Sequence, residues 1–465
     1  YLGNWEYRDD NSNVEVELLT RNLKARGYSD NLINKAILKL TSDASLGGGR
    51  DLYEANQDVY RLLRYGVHVK PGIGENTETV WLIDWTKLDA NHFAVAEEVT
   101  VAGNHTKRPD LVVYVNGIAL GTIELKRSKV AVSEGIRQTI GNQKADFIRP
   151  FFSTVQLVMA GNDVEGLRYG VIDTAEKYWL SWREESPIDE PLDRALTQLC
   201  SKERFLEIIH DYMVFDAGVK KTCRHNQYFG VKASQDRVAK REGGIIWHTQ
   251  GSGKSLTMVW LAKWLRENQP DARVLLITDR TELDQQIEGV FNGVNEEIYR
   301  TKSGSDLIST LNQSDQWLIG SLIHKFGGSE DDDADGDFIK ELNAKLPANF
   351  SAKGNLFVFV DEAHRTQSGK MHDAMKLILP GAMFIGFTGT PLLKRDKETS
   401  IETFGSFIHT YKFDEAVSDG VVLDLSYEAR TIDQELMAPD KVDLWFEAKT
   451  KGMTDLSKAE LKKRW

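Results

Sequence analysis

Cysteine is nearly absent: Cys200 and Cys223 are the two in 465 residues. They are too few for a disulfide framework and lack the paired spacing of a zinc site, which excludes a disulfide-stapled secreted scaffold and a zinc module. No uncharged apolar run approaches the roughly 18 residues of a spanning helix, and the start lacks the charged, apolar, small-residue succession of a signal peptide. A cytoplasmic chain without membrane contact is expected. Positive charge is also short, 58 Lys plus Arg against 70 Asp plus Glu, a net charge of −12. That balance argues against coating nucleic acid through global charge but leaves a local basic channel open, because such fields act within about a Debye length. There is no internal repeat. The length corresponds to about three domains at roughly 150 residues each. With Tyr1 instead of Met at the start and an unterminated charged helical pattern from Lys458 to Trp465, the expectation is a piece of a longer chain.

The pattern changes along the chain. In residues 1 to about 190, Val14 to Leu23 has helical spacing and Gly47 to Gly49 marks a loop. Leu111 to Val115 and Ile118 to Lys126 flank Asn116-Gly117, the signal of a β-hairpin. This predicts an α/β unit with a central hairpin. The acidic stretch Trp182 to Pro191 reads as a linker. From about residue 240, short apolar runs at Ile245–Trp247, Val274–Thr278, Trp317–Ser321, Leu356–Val360 and Ala382–Phe387 alternate with helical segments such as Leu256–Glu267. Such alternation predicts a parallel sheet covered by helices on both faces. The run Glu330 to Asp337, six acids in eight residues, reads as a solvated loop, with a divalent-ion site as the alternative.

Chemistry concentrates in three places in the second part. His248-Thr249-Gln250-Gly251-Ser252-Gly253-Lys254-Ser255 follows a strand and opens a helix, the context of a nucleotide phosphate loop. Glycines let backbone N–H groups turn toward phosphate oxygens, Lys254 can reach the β and γ phosphates, and Ser255 can ligate Mg²⁺. His248 stands where the strict pattern has glycine, which points toward motor ATPases. Leu356 to Val360 then runs into Asp361-Glu362-Ala363-His364, placing Asp361 to hold Mg²⁺ and Glu362 to orient and deprotonate the attacking water. Thr388-Gly389-Thr390-Pro391 ends the next strand, where hydroxyls can connect the nucleotide site to a neighbouring domain.

In this order the three elements resemble motifs I, II and III of superfamily 2 helicases and translocases. The resemblance implies that Arg224-His225-Asn226-Gln227 is the element upstream of motif I, with Gln227 as adenine contact. It also implies DNA-facing motifs at Asp279-Arg280 and Ser321 to Phe326. Tyr411 to Arg430 looks like the lead into a second lobe. No Q-x-x-G-R-x-x-R element precedes Trp465, so ATP hydrolysis by this chain alone is expected to be weak.

The N-terminal hairpin carries Pro109-Asp110 at its start and Glu124-Leu125-Lys126 at its end, the P-D...E-x-K pattern of restriction-type nucleases. Asp110 and Glu124 would hold Mg²⁺, and Lys126 would position water or steady charge developing on phosphate. Strand parity tests the idea. A flush two-residue turn at Asn116-Gly117 pairs Asp110 with Ile123 and puts the two acids on opposite faces. The nuclease reading therefore requires an odd-length loop or a bulge.

Such a nuclease unit followed by this motor resembles the restriction (R) subunit of type I restriction-modification enzymes. The fold implied is an N-terminal restriction-endonuclease-like α/β domain followed by a RecA-like parallel-sheet motor. The corresponding division is 1–185 endonuclease, 186–410 first motor domain and 411–465 the start of a second. The resemblance also implies a glutamine on the helix after the lysine strand, matched by Gln138, and a tyrosine four positions later, where this chain has Asn142. It further implies an acid on the first helix, either Glu15 or Glu17. The implied activity is that of an ATP-dependent type I deoxyribonuclease translocating double-stranded DNA, using ATP and Mg²⁺. Its implied partners are methyltransferase (modification) and specificity subunits. The alternatives are a superfamily 2 helicase with a non-nuclease N-terminal module, and a scaffold whose ATP site is a switch.

Overall fold

The computed structural model describes residues 11–278, 281–294, 296–322, 346, 350–363, 375–376, 378–390, 404–424 and 439–464. Its two compact units are residues 1–422 and 423–465.

The first unit begins with three helices, α1 (Val16–Ala25), α2 (Asp30–Asp43) and α3 (Leu52–Tyr65). Asp51 starts α3 through a reciprocal cap, accepting from Glu54 N at 2.8 Å while the Glu54 carboxylate accepts from Asp51 N at 3.2 Å. Leu52, Ala55, Val59 and Leu63 recur at helical spacing and are buried, which turns that face of α3 into the core. A small ribbon, β1 (Val67–Val69) and β2 (Glu78–Val80), follows.

Six strands form the N-terminal sheet in sequence order: β3 (Phe93–Glu97), β4 (Leu111–Val115), β5 (Ile118–Leu125), β6 (Leu157–Asn162), β7 (Gly166–Gly170) and β8 (Leu180–Ser181). All neighbours are antiparallel except β5 and β6, which are joined by a crossover containing α4 (Val132–Asn142). Every residue of β5 but the last is buried, as expected for a strand covered on both faces.

The predicted linker differs. Trp182 is 5% exposed and packs against the rings of Tyr169, Tyr228 and Phe229. Beyond it, α5 (Pro191–Leu199) lies against β7, and α6 (Lys202–Asp211) follows. One contiguous apolar core includes Leu19 of α1, Phe205 of α6 and Ile385 of the second sheet. The acids that suggest a solvated linker sit on a segment that its buried indole anchors.

The hairpin β9 (Met213–Asp216) and β10 (Val219–Thr222) is held by Lys220, whose Nζ donates to Asn56 Oδ1 at 2.8 Å and Gln156 Oε1 at 2.5 Å. Complete burial pushes this ammonium well below the usual lysine range.

Next come α7 (His225–Lys240), β11 (Gly244–His248), α8 (Lys254–Asn268), β12 (Ala272–Thr278), α9 (Thr281–Gly293), β13 (Tyr299–Arg300) and α10 (Gly304–Leu311). The strands β14 (Leu318–Leu322), β15 (Asn355–Val360), β16 (Met383–Thr388) and β17 (Phe407–Tyr411) complete a parallel sheet ordered β13-β14-β12-β15-β16-β11-β17. This is the predicted parallel architecture. The helix α11 (Phe413–Ser418) is the last helix described in the first unit.

In the second unit, the described residues form α12 (Pro439–Lys449) and α13 (Asp455–Arg464), linked by Lys458–Glu447 at 2.6 Å and Lys462–Asp443 at 3.2 Å. Among the described residues no helix is long and apolar enough to cross a membrane.

Candidate functional site

The N-terminal cluster depends on one irregularity in β5. Asn116 and Gly117 have φ of 54° and 84°, the two positive values of a type I′ turn. Val115 lies opposite Ile118 and Tyr114 opposite Ala119, so the turn is the flush two-residue form. Val113, however, lies opposite Gly121, leaving Leu120 as an extra residue, and Leu111 is then opposite Ile123. Side-chain alternation resets there. Leu120 belongs to the core on the α1–α3 side, and a Cβ on Gly121 would meet Phe205 at 3.2 Å on the same side. The bulge brings Asp110 opposite Glu124, as the nuclease reading required.

Lys126 Nζ completes the cluster, 3.9 Å from Asp110 Oδ2 and 3.8 Å from Glu124 Oε2. Leu125 N donates to Asp110 Oδ2 at 2.7 Å, holding one acid against the other strand. Glu124 is 1% exposed and receives Gln138 Nε2 at 2.7 Å and Asn142 Nδ2 at 3.2 Å. Burial, and then the neighbouring Asp110 carboxylate, push the Glu124 carboxyl up to about 8. Two adjacent carboxylates beside one lysine fit a divalent cation by the chemistry of their oxygens. Among the described residues no group of three or more His, Cys, Asp or Glu gathers around a common point.

The expected acid from the first helix is not in this cluster. Glu15 N donates to Gly117 O at 2.7 Å, and Glu15 Oε1 accepts from Ser12 N at 3.0 Å, at the turn end of the hairpin. Glu17 is exposed in the first turn of α1, at that same end. The six residues separating Ile118 from Glu124 span about 20 Å of strand, which keeps both acids of α1 away from Asp110.

The second cluster lies at the C-terminal ends of parallel strands, where open α/β sheets bind ligands. The loop Gly251–Gly253 joins β11 to α8, with Gly251 and Gly253 at φ of 82° and 89°, values that glycine reaches without a Cβ clash. Ser252 is fully buried and its hydroxyl donates to Thr249 O at 2.6 Å, tightening the loop. Ser255 stands in the first turn of α8, next to Lys254. Lys254 Nζ is 3.9 Å from Glu362 Oε1. A Cβ on Gly389 would lie 2.6 Å from the same Nζ and 3.1 Å from Gln250 N, so the turn after β16 sits close against the lysine and the loop. Thr388 is buried at the end of β16, and its Oγ1 accepts from Thr390 N at 3.3 Å.

Asp361 Oδ1 is buried without a hydrogen-bond donor, and burial with the adjacent Glu362 charge raises its carboxyl to about 6. A buried carboxylate oxygen lacking a donor beside a phosphate-type loop fits a loop-bound Mg²⁺. Gln227 is placed differently from an open adenine contact. Its Oε1 accepts from Arg224 N at 2.8 Å and its Nε2 donates to Gly253 O at 2.9 Å, so the amide braces the loop from α7.

Two features here carry no local sequence signal. His248 is fully buried, with Nε2 2.9 Å from His409 Nδ1 on β17 and Nδ1 3.4 Å from Asn226 Nδ2. Asp419 is contacted by Arg183 at 2.6 Å, Tyr411 Oη at 2.6 Å and His225 Nε2 at 3.3 Å. Asp279-Arg280, residues 323–326, the acidic run 330–337, His364, Pro391 and residues 425–430 lie outside the described residues.

Residues 226–459 match the SWI2/SNF2 ATPase model, and residues 2–177 match the type I restriction enzyme R protein N terminus. The putative type I restriction enzyme MjaIXP endonuclease subunit of Methanocaldococcus jannaschii is 29% identical over 492 residues, covering 95% of this chain and 45% of that protein. The type I restriction enzyme HindI endonuclease subunit of Haemophilus influenzae is 28% identical over 438 residues, covering 84% of this chain and 40% of that protein. The chain thus spans less than half the length of these relatives.

Proposed function

Since the chain belongs to the SWI2/SNF2 ATPase family through residues 226–459 and to the type I restriction enzyme R proteins through its N-terminal region, we propose that it is the nuclease-and-motor part of such an R subunit. The division follows the chain: 1–185 cuts, 186–410 is the first motor lobe, and 411–465 opens a second. ATP hydrolysis drives double-stranded DNA past a complex that contains modification and specificity subunits, and unmodified DNA is cleaved.

The observation that carries this reading is the bulge at Leu120, which sets Asp110 opposite Glu124 with Lys126 within 3.9 Å of both. A covered strand has no packing need for two facing acids and a lysine. In the nuclease, Asp110 and Glu124 hold Mg²⁺, Lys126 positions the attacking water and steadies charge on the phosphate, and Gln138 orients Glu124. The bound ion supplies Lewis-acid activation and charge neutralisation. In the motor, the Gly251–Gly253 backbone and Lys254 cradle phosphates, and Ser255 and Asp361 hold the nucleotide's Mg²⁺. Glu362 orients and deprotonates water, and Thr388 and Thr390 link the site to the neighbouring lobe. Gln227 keeps the loop in shape from α7 and is the proposed adenine contact.

The test is ATP-dependent cleavage of unmethylated circular DNA by the reconstituted complex with full-length R subunit, comparing Asp110→Ala with the parent while following ATP hydrolysis in the same tube. Lost cleavage with continuing hydrolysis supports two separable engines. Unchanged cleavage leaves a motor whose N-terminal module is not the nuclease, and absent ATP turnover in the parent complex revives the switch-type scaffold.

A further inference from the structure

The Glu124 carboxylate is held from one side by a single helix. On α4, Gln138 and Asn142 stand four residues apart, so their side chains project from the same face one turn above another. Each donates to a different oxygen of Glu124, Gln138 Nε2 to Oε2 at 2.7 Å and Asn142 Nδ2 to Oε1 at 3.2 Å. Both donors reach the strand because α4 lies close to the sheet at Gly135, where a Cβ would stand 3.2 Å from the Ala160 Cβ and 3.4 Å from Lys126 Cγ. Asn142 is 2% exposed, so water does not readily replace its amide.

A carboxylate held by one donor can rotate about its terminal bond; one held at both oxygens cannot without breaking a bond. Two neutral amides hold the plane without adding charge, leaving Lys126 as the cation beside Glu124. We propose that Asn142 is a positioning residue of the nuclease centre, forming with Gln138 a two-point amide clamp that fixes the plane of Glu124 for divalent-cation binding. The proposal rests on the nuclease reading of Asp110, Glu124 and Lys126. It adds a residue whose contribution passes through Glu124, without contact to DNA. Outer groups that orient a metal ligand typically change metal affinity by about 10- to 100-fold.

The experiment uses full-length R subunit, with Mn²⁺ as the probe. Mn²⁺ binding is followed by electron paramagnetic resonance without nucleotide, and the Mg²⁺ dependence of cleavage is followed in the reconstituted complex. Asn142→Leu keeps the side-chain size and removes the donor. It is expected to weaken by roughly tenfold the Mn²⁺ binding that Asp110→Ala removes, and to raise the half-saturating Mg²⁺ for cleavage similarly. ATP hydrolysis and the unfolding midpoint stay at the parent level, and Asn142→His, which restores an N–H donor, recovers binding. If Asn142→Leu lowers the unfolding midpoint, Asn142→Ser, whose hydroxyl stops short of Glu124, carries the same expectation. Parental Mn²⁺ binding in the folded donor-less variant overturns the clamp while Asp110→Ala still loses binding. Parental binding and cleavage in Asp110→Ala overturns the nuclease reading itself.

Discussion

Arg183, two residues beyond the last strand of the N-terminal sheet, lies 2.6 Å from the buried Oδ1 of Asp419, beyond the last strand of the motor sheet. Its guanidinium also donates to the hydroxyl and the carbonyl of Ser418, at 2.7 and 2.8 Å. Asp419 in turn accepts from Tyr411 Oη and faces His225, the first residue of the helix that carries Gln227 to the phosphate loop. The exit of one sheet and the rim of the nucleotide site therefore share a carboxylate.

Arg183→Ala is expected to lower stability by about 1 kcal/mol, because the arginine is half exposed and its charge is screened while its hydrogen bonds are lost. Arg183→Lys should recover only part, since one ammonium cannot reproduce the forked contact. Chemical denaturation of the parent and both variants checks this, and equal midpoints would remove the pair as a joint.

The His248–His409 pair makes a pH prediction. Burial holds His248 well below the usual imidazole range and lowers His409 from 6.5 to about 4, with His225 acting in the same direction. Lys254 also disfavours a charged His248, while Asp419 pulls His225 the other way. The folded rings stay neutral where the unfolded chain takes up protons, so this contribution is full above pH 6.5 and declines as pH falls toward 4. His409→Gln should therefore lose less stability than the parent between pH 7.5 and roughly 5.5. An identical loss in both would count against it.

Lys254→Ala is expected to reduce ATP hydrolysis at least about a hundredfold and to abolish translocation and cutting with it, since its ammonium, 3.9 Å from Glu362 Oε1, is the charge that meets the β and γ phosphates in the proposed site. Hydrolysis, strand displacement and cleavage measured on one preparation test this. Cutting that survives without hydrolysis would uncouple the two sites.

Gly117→Ala should destabilise the N-terminal region by about 1–3 kcal/mol. A Cβ there would sit 2.7 Å from Glu15 O and 2.8 Å from Leu18 Cβ, on a residue whose φ is already 84°. A lower thermal midpoint with the motor's nucleotide binding retained is the expected pattern, measured by calorimetry with and without ATP analogue.

Much of this was legible because it is local. Asn116-Gly117 announces its turn, Gly251 to Ser255 its phosphate loop, and the apolar runs ending at Asp361 and Thr388 their strands. The bulge was legible only as a requirement: Leu120 is one apolar residue among several, and nothing in its type marks it as the unpaired one. Asn142 was visible as a departure from the tyrosine implied at that position, but its bond to Glu124 depends on how closely Gly135 lets the helix approach. Composition averages over the acidic stretch and makes Trp182 look like part of a linker, whereas its one buried indole decides the placement. His248 with His409 and Arg183 with Asp419 are partners distant in sequence, which no window could join.

The extra residue at Leu120 makes the nuclease face a matter of parity. With the bulge kept, removing or adding one residue elsewhere between Asp110 and Glu124 would exchange inward and outward along a strand without touching either acid, whereas removing Leu120 itself would leave a regular flush hairpin with the acids still opposite. Loss of cutting could thus arise through a single-codon deletion remote from the chemistry, leaving every catalytic side chain in the sequence intact. In chains of this kind, counting the residues between the acids is as informative as finding the acids themselves.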